Sequence, residues 1–302
     1  MVGLGRMGAN MTTRLVRGGH EVVVFDLDRA AIERSVGSGA IGAGNLAELV
    51  GQLQPPRAVW IMVPAGPVTA TTVADLSTLL DAGDAIIDGG NSRFTDTVAR
   101  ATELSERGVT LLDAGTSGGI WGLEEGFCLM IGGEADAFQR LEPVFATLAP
   151  PDGYAHVGPA GSGHFVKMVH NGIEYGLMQA YAEGFELMRA SDFDLDLTSI
   201  AQLWRRGSVV RSWLLDLVAQ ALEKDPDLAE VAGIVDDSGE GRWALETAIE
   251  HAVPTPAIAA ALFARFSSRQ DESYAAKMLA ALRAEFGGHA THPPSTGDDA
   301  PS

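Results

Sequence analysis

The sequence has little cysteine, little positive charge and no long apolar run. Cys128 is its single cysteine, so no disulfide can form within the chain. No stretch of about 18 apolar residues and no signal-peptide pattern occurs, which argues against a membrane span and against secretion. These absences lead us to expect a protein of the cytoplasm that has no membrane partner.

Positive charge is scarce relative to negative charge. Lysine and arginine together number 21, against 40 aspartate and glutamate residues, and the formal net charge is −19 at pH 7. Such a chain repels phosphate backbones and anionic lipids at long range, so we expect no nucleic-acid partner. An anionic ligand would have to be bound locally, by helix N-termini and a few arginine or lysine side chains.

The 302 residues suffice for two domains, and the residue pattern changes near the middle of the chain. Short β-rich runs separated by segments of helical length occur at 22–25, 59–63, 85–88, 110–113 and 127–131. This alternation predicts a parallel sheet with helices on both faces over residues 1–160. Apolar residues then recur at helical spacing over 165–190, 197–221, 243–251, 256–266 and 273–286, which predicts an all-α domain over 161–290. Residues 291–302 lack periodicity and are expected to form a disordered tail.

A glycine-rich turn opens the first domain. Gly3, Gly5 and Gly8 fit the G-x-G-x-x-G fingerprint of Rossmann-type dinucleotide-binding domains, and a helical segment, a strand and Asp26 follow in the expected order. Asp26 lies 18 residues after Gly8, where a carboxylate accepts hydrogen bonds from the adenosine ribose and repels a 2′-phosphate. The pattern therefore favours NAD over NADP, with a glycine turn that binds no ligand as the alternative. The residues expected to bind the cofactor are Gly3, Gly5, Arg6, Met7, Gly8, Asp26, Val63 and Asn91.

The first strand of this domain is expected to be short. Only Met1 and Val2 precede Gly3, whereas the first strand of such a sheet is normally central and about five residues long.

A polar stripe runs along the first predicted helix of the second domain. Lys167, Asn171 and Glu174 lie at i, i+4 and i+7, His170 lies four residues before Glu174, and the flanking residues are apolar. A lysine and a glutamate on such a helix are costly to desolvate unless they are paired or face a cleft. By itself the stripe indicates either a buried Lys–Glu pair or an active site.

The segment around this stripe resembles a known enzyme family. The pattern G-x-x-G-x-G-x-x-x-K from Gly158 to Lys167 resembles the β-hydroxyacid dehydrogenase superfamily, and its extension to Tyr175 resembles the decarboxylating 6-phosphogluconate dehydrogenases. The resemblance extends to about residue 289. Three further segments resemble the same family: Asp88-Gly-Gly-Asn91-Ser92, Ser117-Gly118-Gly119 and Gly239-Glu-Gly241-Arg-Trp243.

The resemblance implies a short, NAD-preferring form that oxidises and decarboxylates 6-phosphogluconate without a metal. Lys167 would take the proton of the C3 hydroxyl and later return it, and Glu174 would act as the acid that protonates the product carbon. The lysine works best if its pKa is lowered toward neutrality. The residues expected to bind the substrate are Asn91, Ser117, Gly118, Gly119, His170, Asn171, Tyr175, Arg265, Arg283 and His289.

One segment departs from the long members of this family. Where those have a lysine and a threonine that help bind phosphate, this chain has Ser238 and Glu240. We interpret this as a mark of the short subclass. The acidic residues Asp236, Asp237 and Glu240 are otherwise interpreted as a turn followed by a helix start.

The resemblance also implies a homodimer. In the long family members the residues that match Arg283 and His289 reach into the neighbouring subunit's active site. A helical domain of this size has a limited core, so exchange of terminal helices would help to complete it. We therefore expect composite active sites.

Two other functions remain open at this point. A 3-hydroxyacid dehydrogenase that does not decarboxylate, such as one acting on 3-hydroxyisobutyrate, would explain Lys167 and Asn171 but not the pairing of His170 with Glu174 and Tyr175. A non-catalytic sensor of dinucleotides or sugar phosphates would have no need for both Lys167 and Glu174.

Overall fold

The computed structural model describes residues 1–287, 290 and 292, and it divides into two compact units. The first unit comprises Met1–Glu174 and Gly239–Val253, and the second the described parts of Tyr175–Ser238 and Pro254–Ser302. The compact units differ from the predicted domains, because the first turns of the helix that begins at Ser162 belong to the first unit. Apart from residue 292, the tail expected at 291–302 lies outside the described residues.

Two sheets form the centre of the first unit. In one, β1 (Val23–Val24) pairs parallel with β2 (Ile41–Gly42). The other has the order β3-β4-β5-β6-β7 and comprises Ala58–Ile61, Ala85–Asp88, Thr110–Ser117, Cys128–Gly132 and Tyr154–Gly158. All neighbours are parallel except β5 and β6. The expectation of a wholly parallel sheet is therefore wrong at β6, because the connection 118–127 is shorter than a parallel crossover requires.

Val2 connects the two sheets. It bridges Phe25 on one side and Ile61 on the other. Its amide donates to the carbonyl of Trp60 at 2.8 Å, and its carbonyl accepts from the amide of Met62 at 2.7 Å. The first chain segment thus lies between β1 and β3, which is the central place that the dinucleotide-binding topology gives it, and it is short as expected.

Helices cover both faces of this sheet, as predicted. Neighbouring residues of one strand belong to different hydrophobic clusters: Ile87 packs with Leu112 and Phe145, and Ile86 with Leu76 and Leu111. Alternation of this kind means that both faces are buried. The helices of the first unit are α1 (Arg6–Arg17), α2 (Arg29–Gly37), α3 (Leu46–Gly51), α4 (Pro67–Ser77), α5 (Phe94–Ser105), α6 (Gly122–Glu125), α7 (Ala135–Leu148), the start of α8 (Ser162–Arg189) and α11 (Glu240–Glu250).

The second unit is helical in its described residues, as predicted. It contains the rest of α8 with α9 (Leu197–Trp204), α10 (Trp213–Lys224), α12 (Pro256–Ser267) and α13 (Tyr274–Gly287). The helix predicted over 197–221 is two helices, because Gly207 has a φ of 77° and Ser212 caps α10 by accepting from the amide of Leu215. Within the part of the chain that the structure describes, no helix is long and apolar enough to cross a membrane.

Candidate active site

The glycine-rich turn forms a cradle at the N-terminus of α1. Gly3 has a φ of 89°, and a Cβ there would lie 2.4 Å from the carbonyl oxygen of Met62. A Cβ on Gly8 would lie 2.0 Å from the carbonyl oxygen of Gly3, so the turn requires glycine at both positions. Gly5 precedes the helix, no described side chain caps it, and no described atom lies within 4 Å of where its Cβ would be. Free helix amides facing open space are suited to bind a pyrophosphate.

A cleft of about 970 Å³ adjoins this turn. Asp26 lines it at the end of β1; its carboxylate accepts from the amides of Leu4 at 2.5 Å and Asp28 at 2.7 Å. The carboxylate is thereby held against the glycine-rich turn. Of the residues expected to bind the cofactor, Gly3, Gly5, Asp26 and Val63 line the cleft, whereas Arg6, Met7 and Gly8 begin α1 and Asn91 follows β4.

The loop after β4 holds Asn91 in a fixed orientation. Asn91 has a left-handed φ of 51°, a conformation that asparagine tolerates better than most residues. Its amide nitrogen donates to the carbonyl of Thr116 at 3.2 Å, and its amide oxygen accepts from the amide of Thr116 at 2.9 Å. Buried Asp88 braces the same loop by accepting from the amide of Gly90 and from the hydroxyl of Ser92. The loop is therefore fixed to β5 one residue before Ser117.

Helix α8 begins directly against β5. Asp113, which is fully buried, accepts from the amides of Gly161 and His164 at 2.7 Å each and so caps the helix. A Cβ on Gly163 would lie 2.3 Å from the carbonyl oxygen of Met130, and a Cβ on Gly115 would lie 2.6 Å from the Cβ of Lys167. The glycines of this segment therefore allow the close approach that brings Lys167 to the ends of the strands.

Lys167, His170 and Asn171 form one hydrogen-bonded cluster. Nζ of Lys167 donates to Oδ1 of Asn171 at 2.6 Å and lies 3.3 Å from Nδ1 of His170. Nε2 of His170 lies 3.4 Å from the hydroxyl of Ser117 at the end of β5. Glu174 lies one turn further along α8, with a carboxylate oxygen 3.7 Å from Nδ1 of His170. The helix thus brings together the five polar residues that the sequence indicated in this segment and in the Ser117 turn.

The amine of Lys167 is buried, with only 5% of the residue exposed. Burial lowers the pKa of Lys167 below its ordinary value, because desolvation penalises the ammonium form. The nearby acidic groups Glu174, Glu240 and Cys128 oppose this by raising the pKa. An amine with a lowered pKa is suited to take and return a proton near neutral pH.

Sequence reasoning missed two neighbours of Lys167. Glu240 begins α11 as predicted, but it is buried, at 8% exposed, and its charge acts on Lys167. Cys128 lies opposite Ser117 in the β5–β6 register. Burial is what distinguishes Glu240 from the other acidic residues of this segment. The sequence has three acidic residues there and does not show which of them is buried.

The turn after Ser117 is open. Gly118 has a φ of 124° and precedes a short 3₁₀ turn over Gly119–Trp121. Gly119 has a φ of 52°, and no described atom lies within 4 Å of where its Cβ would be. Its backbone is accessible to a ligand.

In the second unit, Tyr175 and Arg265 lie together. The guanidinium of Arg265 lies 3.6 Å from the centroid of the Tyr175 ring and donates to the carbonyl of Asp236 at 2.7 Å. The hydroxyl of Tyr175 lies 3.1 Å from that of Ser238. Arg283 is exposed on α13. His289 lies outside the described residues.

The described residues contain no group of three or more histidine, cysteine, aspartate and glutamate side chains arranged to hold a metal ion.

Comparisons with known proteins agree on one family over nearly the whole chain. Residues 1–158 match the NAD binding domain of 6-phosphogluconate dehydrogenase, and residues 163–292 match the C-terminal domain of 6-phosphogluconate dehydrogenase. The NAD(+)-dependent, decarboxylating 6-phosphogluconate dehydrogenase of Haloferax volcanii is 46% identical over 291 residues, which is 96% of each chain.

One solved structure of the same family and one of a differently named enzyme share the fold of this chain. The 6-phosphogluconate dehydrogenase of Plasmodium falciparum superposes with a TM-score of 0.82 at 28% identity, over 98% of this chain and 66% of that longer chain. The 3-hydroxyisobutyrate dehydrogenase of Salmonella typhimurium superposes with a TM-score of 0.74 at 24% identity, over 88% of this chain and 92% of that one. The second likeness concerns the fold alone.

Proposed function

Because this chain belongs to the 6-phosphogluconate dehydrogenase family, we propose that it catalyses the NAD-dependent oxidative decarboxylation of 6-phosphogluconate to ribulose 5-phosphate and carbon dioxide. The observation that carries the proposal is the buried amine of Lys167, whose pKa is lowered by desolvation and which lies among Ser117, His170 and Asn171. A base with this environment suits abstraction of a hydroxyl proton.

The cofactor cleft fits NAD. The turn at Gly3, Gly5 and Gly8 suits the pyrophosphate, and Asp26 lies where the adenosine ribose is recognised. When bound, NAD accepts the hydride released from C3 of the substrate. The carboxylate of Asp26 disfavours a 2′-phosphate at this position, so NAD is the preferred cofactor.

The protein's side chains move the protons. Lys167 takes the proton of the C3 hydroxyl as C3 is oxidised to a ketone. The resulting 3-keto acid releases its carboxylate as carbon dioxide, while Lys167 returns the proton to the oxygen on C3 and yields an enediol. Glu174 then protonates the carbon that carried the carboxylate, while Lys167 takes the proton back from the oxygen on C3, so that the enediol becomes a ketone again. Asn91, Ser117, Gly118, Gly119, His170 and Asn171 hold the carboxylate and the hydroxyls.

The proposed ligands of the substrate's phosphate are Tyr175, Arg265 and Arg283. Tyr175 offers a hydroxyl and Arg265 a guanidinium, and the cation–ring contact between them fixes both. Ser238, hydrogen-bonded to Tyr175, stands where the long relatives have lysine. The remaining cation is Arg283. The guanidinium groups of Arg265 and Arg283 can each bind phosphate in a bidentate manner, and the hydroxyl of Tyr175 can donate a further hydrogen bond.

Arg283 and His289 act in the neighbouring subunit of a homodimer in this proposal. Apolar side chains of α13 are exposed in the described structure: Tyr274, Met278, Leu279 and Leu282. A groove of about 520 Å³ with mostly apolar walls lies in the same unit, between α8, α9 and α10. Exposed apolar surface of this extent favours burial against a second copy of the chain.

One assay tests the function against its alternatives. The protein is mixed with NAD and 6-phosphogluconate, and NADH absorbance and released carbon dioxide are followed together. Equal amounts of both products are expected. NADH without carbon dioxide would indicate a dehydrogenase that does not decarboxylate, and 3-hydroxyisobutyrate would then be the next substrate to try. Neither product, with NAD binding intact, would contradict an enzymatic role on this substrate.

A further inference from the structure

A buried carboxylate outside the proton-transfer steps proposed above acts on the charge of Lys167. Glu240 is the first residue of α11 and is 8% exposed. The buried residues of α11 include Glu240, Ala244, Thr247 and Ala248, which share one face of the helix. The hydroxyl of Thr247 contacts the sulfur of Met168 at 3.9 Å, and Met168 follows Lys167 on α8. The face of α11 that carries Glu240 therefore packs on the segment of α8 that carries the base.

Four titratable groups on three elements contact the amine of Lys167 or act on its charge. His170 and Glu174 lie on α8, Cys128 lies on β6 and Glu240 lies on α11. Glu174 and Glu240 both raise the pKa of Lys167 against the lowering effect of burial. The two carboxylates have different roles in the reaction proposed above. Glu174 must be protonated to act as the acid, and in that form it has no charge that acts on Lys167.

We propose that Glu240 is a positioning residue whose carboxylate stabilises the ammonium that Lys167 becomes when it takes the substrate's proton. Glu240 has no proton-transfer step of its own in the proposed reaction. A fixed charge placed where an opposite charge develops lowers the barrier without reorganisation. A carboxylate would also repel phosphate, so the position that helps bind phosphate in the long relatives has a different role in this chain.

The inference rests on the proposed function, but its first test needs no substrate. Lys167, Lys224 and Lys277 are the only lysines of the chain, so protein labelled with carbon-13 at the lysine ε-carbons gives three signals. The Lys167 signal is assigned with Lys167→Arg, and its titration midpoint is measured by NMR in wild type and in Glu240→Gln. The midpoint should fall by roughly one to two pH units in Glu240→Gln, the size expected for loss of a unit charge about 6–12 Å away at an effective dielectric constant of about 20.

Two matched variants control the charge change. Glu250→Gln removes an exposed carboxylate from the far end of the same helix and should leave the Lys167 midpoint unchanged. Glu240→Asp keeps the charge and should retain most of the wild-type midpoint, which separates the charge from loss of packing. A midpoint in Glu240→Gln equal to that of wild type, in protein with a native thermal melt, would overturn the inference.

Kinetics then test the role. The acid limb of kcat/KM should shift to lower pH in Glu240→Gln, because the free base becomes weaker, and the alkaline plateau should fall roughly three- to tenfold. Glu240→Asp should recover most of this loss. A shifted midpoint with an unchanged rate profile would also overturn the positioning role. Failure of wild type to turn over 6-phosphogluconate would instead contradict the proposed function, and the NMR titration would remain interpretable.

Discussion

At the scale of single residues, two opposing effects act on the pKa of Lys167. Burial lowers its pKa, which makes the neutral base available, and nearby carboxylates raise the pKa, which keeps that base strong. The hydrogen bond to Asn171 orients the amine. A buried Lys–Glu pair with only a structural role would also perturb the pKa, so mutation must distinguish the two interpretations.

We predict that Lys167→Ala lowers kcat by roughly 100- to 10,000-fold, because a general base contributes about that much. Glu174→Gln should be nearly as damaging. NAD affinity, measured by calorimetry, should change little, because all residues that line the cofactor cleft lie between Val2 and Leu79 in the sequence. Lys224→Ala, at an exposed position, serves as the control. Loss of less than about tenfold at both Lys167 and Glu174 would favour the structural pair.

Asp26 should decide the choice of cofactor. Its carboxylate is held by the amides of Leu4 and Asp28, so it cannot swing away from a 2′-phosphate without losing both hydrogen bonds. We predict a higher kcat/KM with NAD than with NADP, and a narrower gap in Asp26→Asn and Asp26→Ser. Initial rates with both cofactors measure this. A native preference for NADP would show that the interpretation of Asp26 is wrong.

At the scale of elements, the position of the base depends on how closely α8 approaches β5 and β6. Gly163 has carbonyl oxygens of Met130 and Asp113 within 2.6 Å of where a Cβ would be. We predict that Gly163→Ala lowers the free energy of unfolding by about 1–3 kcal/mol, because backbone atoms of two strands must move. Activity should fall as well, since Lys167 would be displaced.

Gly184 provides the matched comparison for this change. It lies on the same helix, and no described atom lies within 4 Å of where its Cβ would be. Gly184→Ala should therefore stabilise the protein by about 0.5–1 kcal/mol, the usual gain for glycine to alanine in a helix. Denaturant unfolding measures both variants. Equal stability changes at the two positions would contradict the role given to the α8–β5 contact.

The sequence predicted elements that a local residue pattern defines. It did not predict features that depend on contacts with other parts of the chain. The strand at Ala85–Asp88 was predicted with the bounds it has, because a short apolar run between turns defines it. The strand β6 was predicted, but its antiparallel direction was not, because the direction depends on the length of the preceding connection. The edge strand β7 was missed because its residues are largely exposed and lack a clear alternation. Glu240 was assigned to a helix start, and only its burial reveals the contact with the site.

At the scale of the whole molecule, one small cluster of buried apolar residues lies in the described part of the second unit. It consists of Ala201, Ala219 and Leu222 with a few partly buried neighbours. Large apolar side chains are exposed on α8, α9, α12 and α13, including Leu187, Leu203, Phe263 and Leu279. Burial of this surface against a second copy would enlarge the apolar core of the unit. For this reason the helical unit forms the dimer interface in the proposed function.

Complementation between two defective variants tests whether Arg283 acts across that dimer. Lys167→Ala lacks the base, and Arg283→Ala lacks the proposed phosphate ligand, so each alone should be nearly inactive at low substrate concentration. If Arg283 acts in the neighbouring subunit, one site of a mixed dimer has both lesions and the other has none. Refolding equal amounts of the two together should then restore about a quarter of wild-type activity, because random pairing makes half of the dimers mixed.

Separate affinity tags on the two variants allow the mixed dimers to be isolated, and these should have about half of wild-type activity. His289→Ala can replace Arg283→Ala in the same design. If Arg283 acted within its own chain, every site of a mixed dimer would contain one lesion, and no activity would return. Purified mixed dimers that remain as inactive as the two parent variants would therefore rule out composite active sites in this protein.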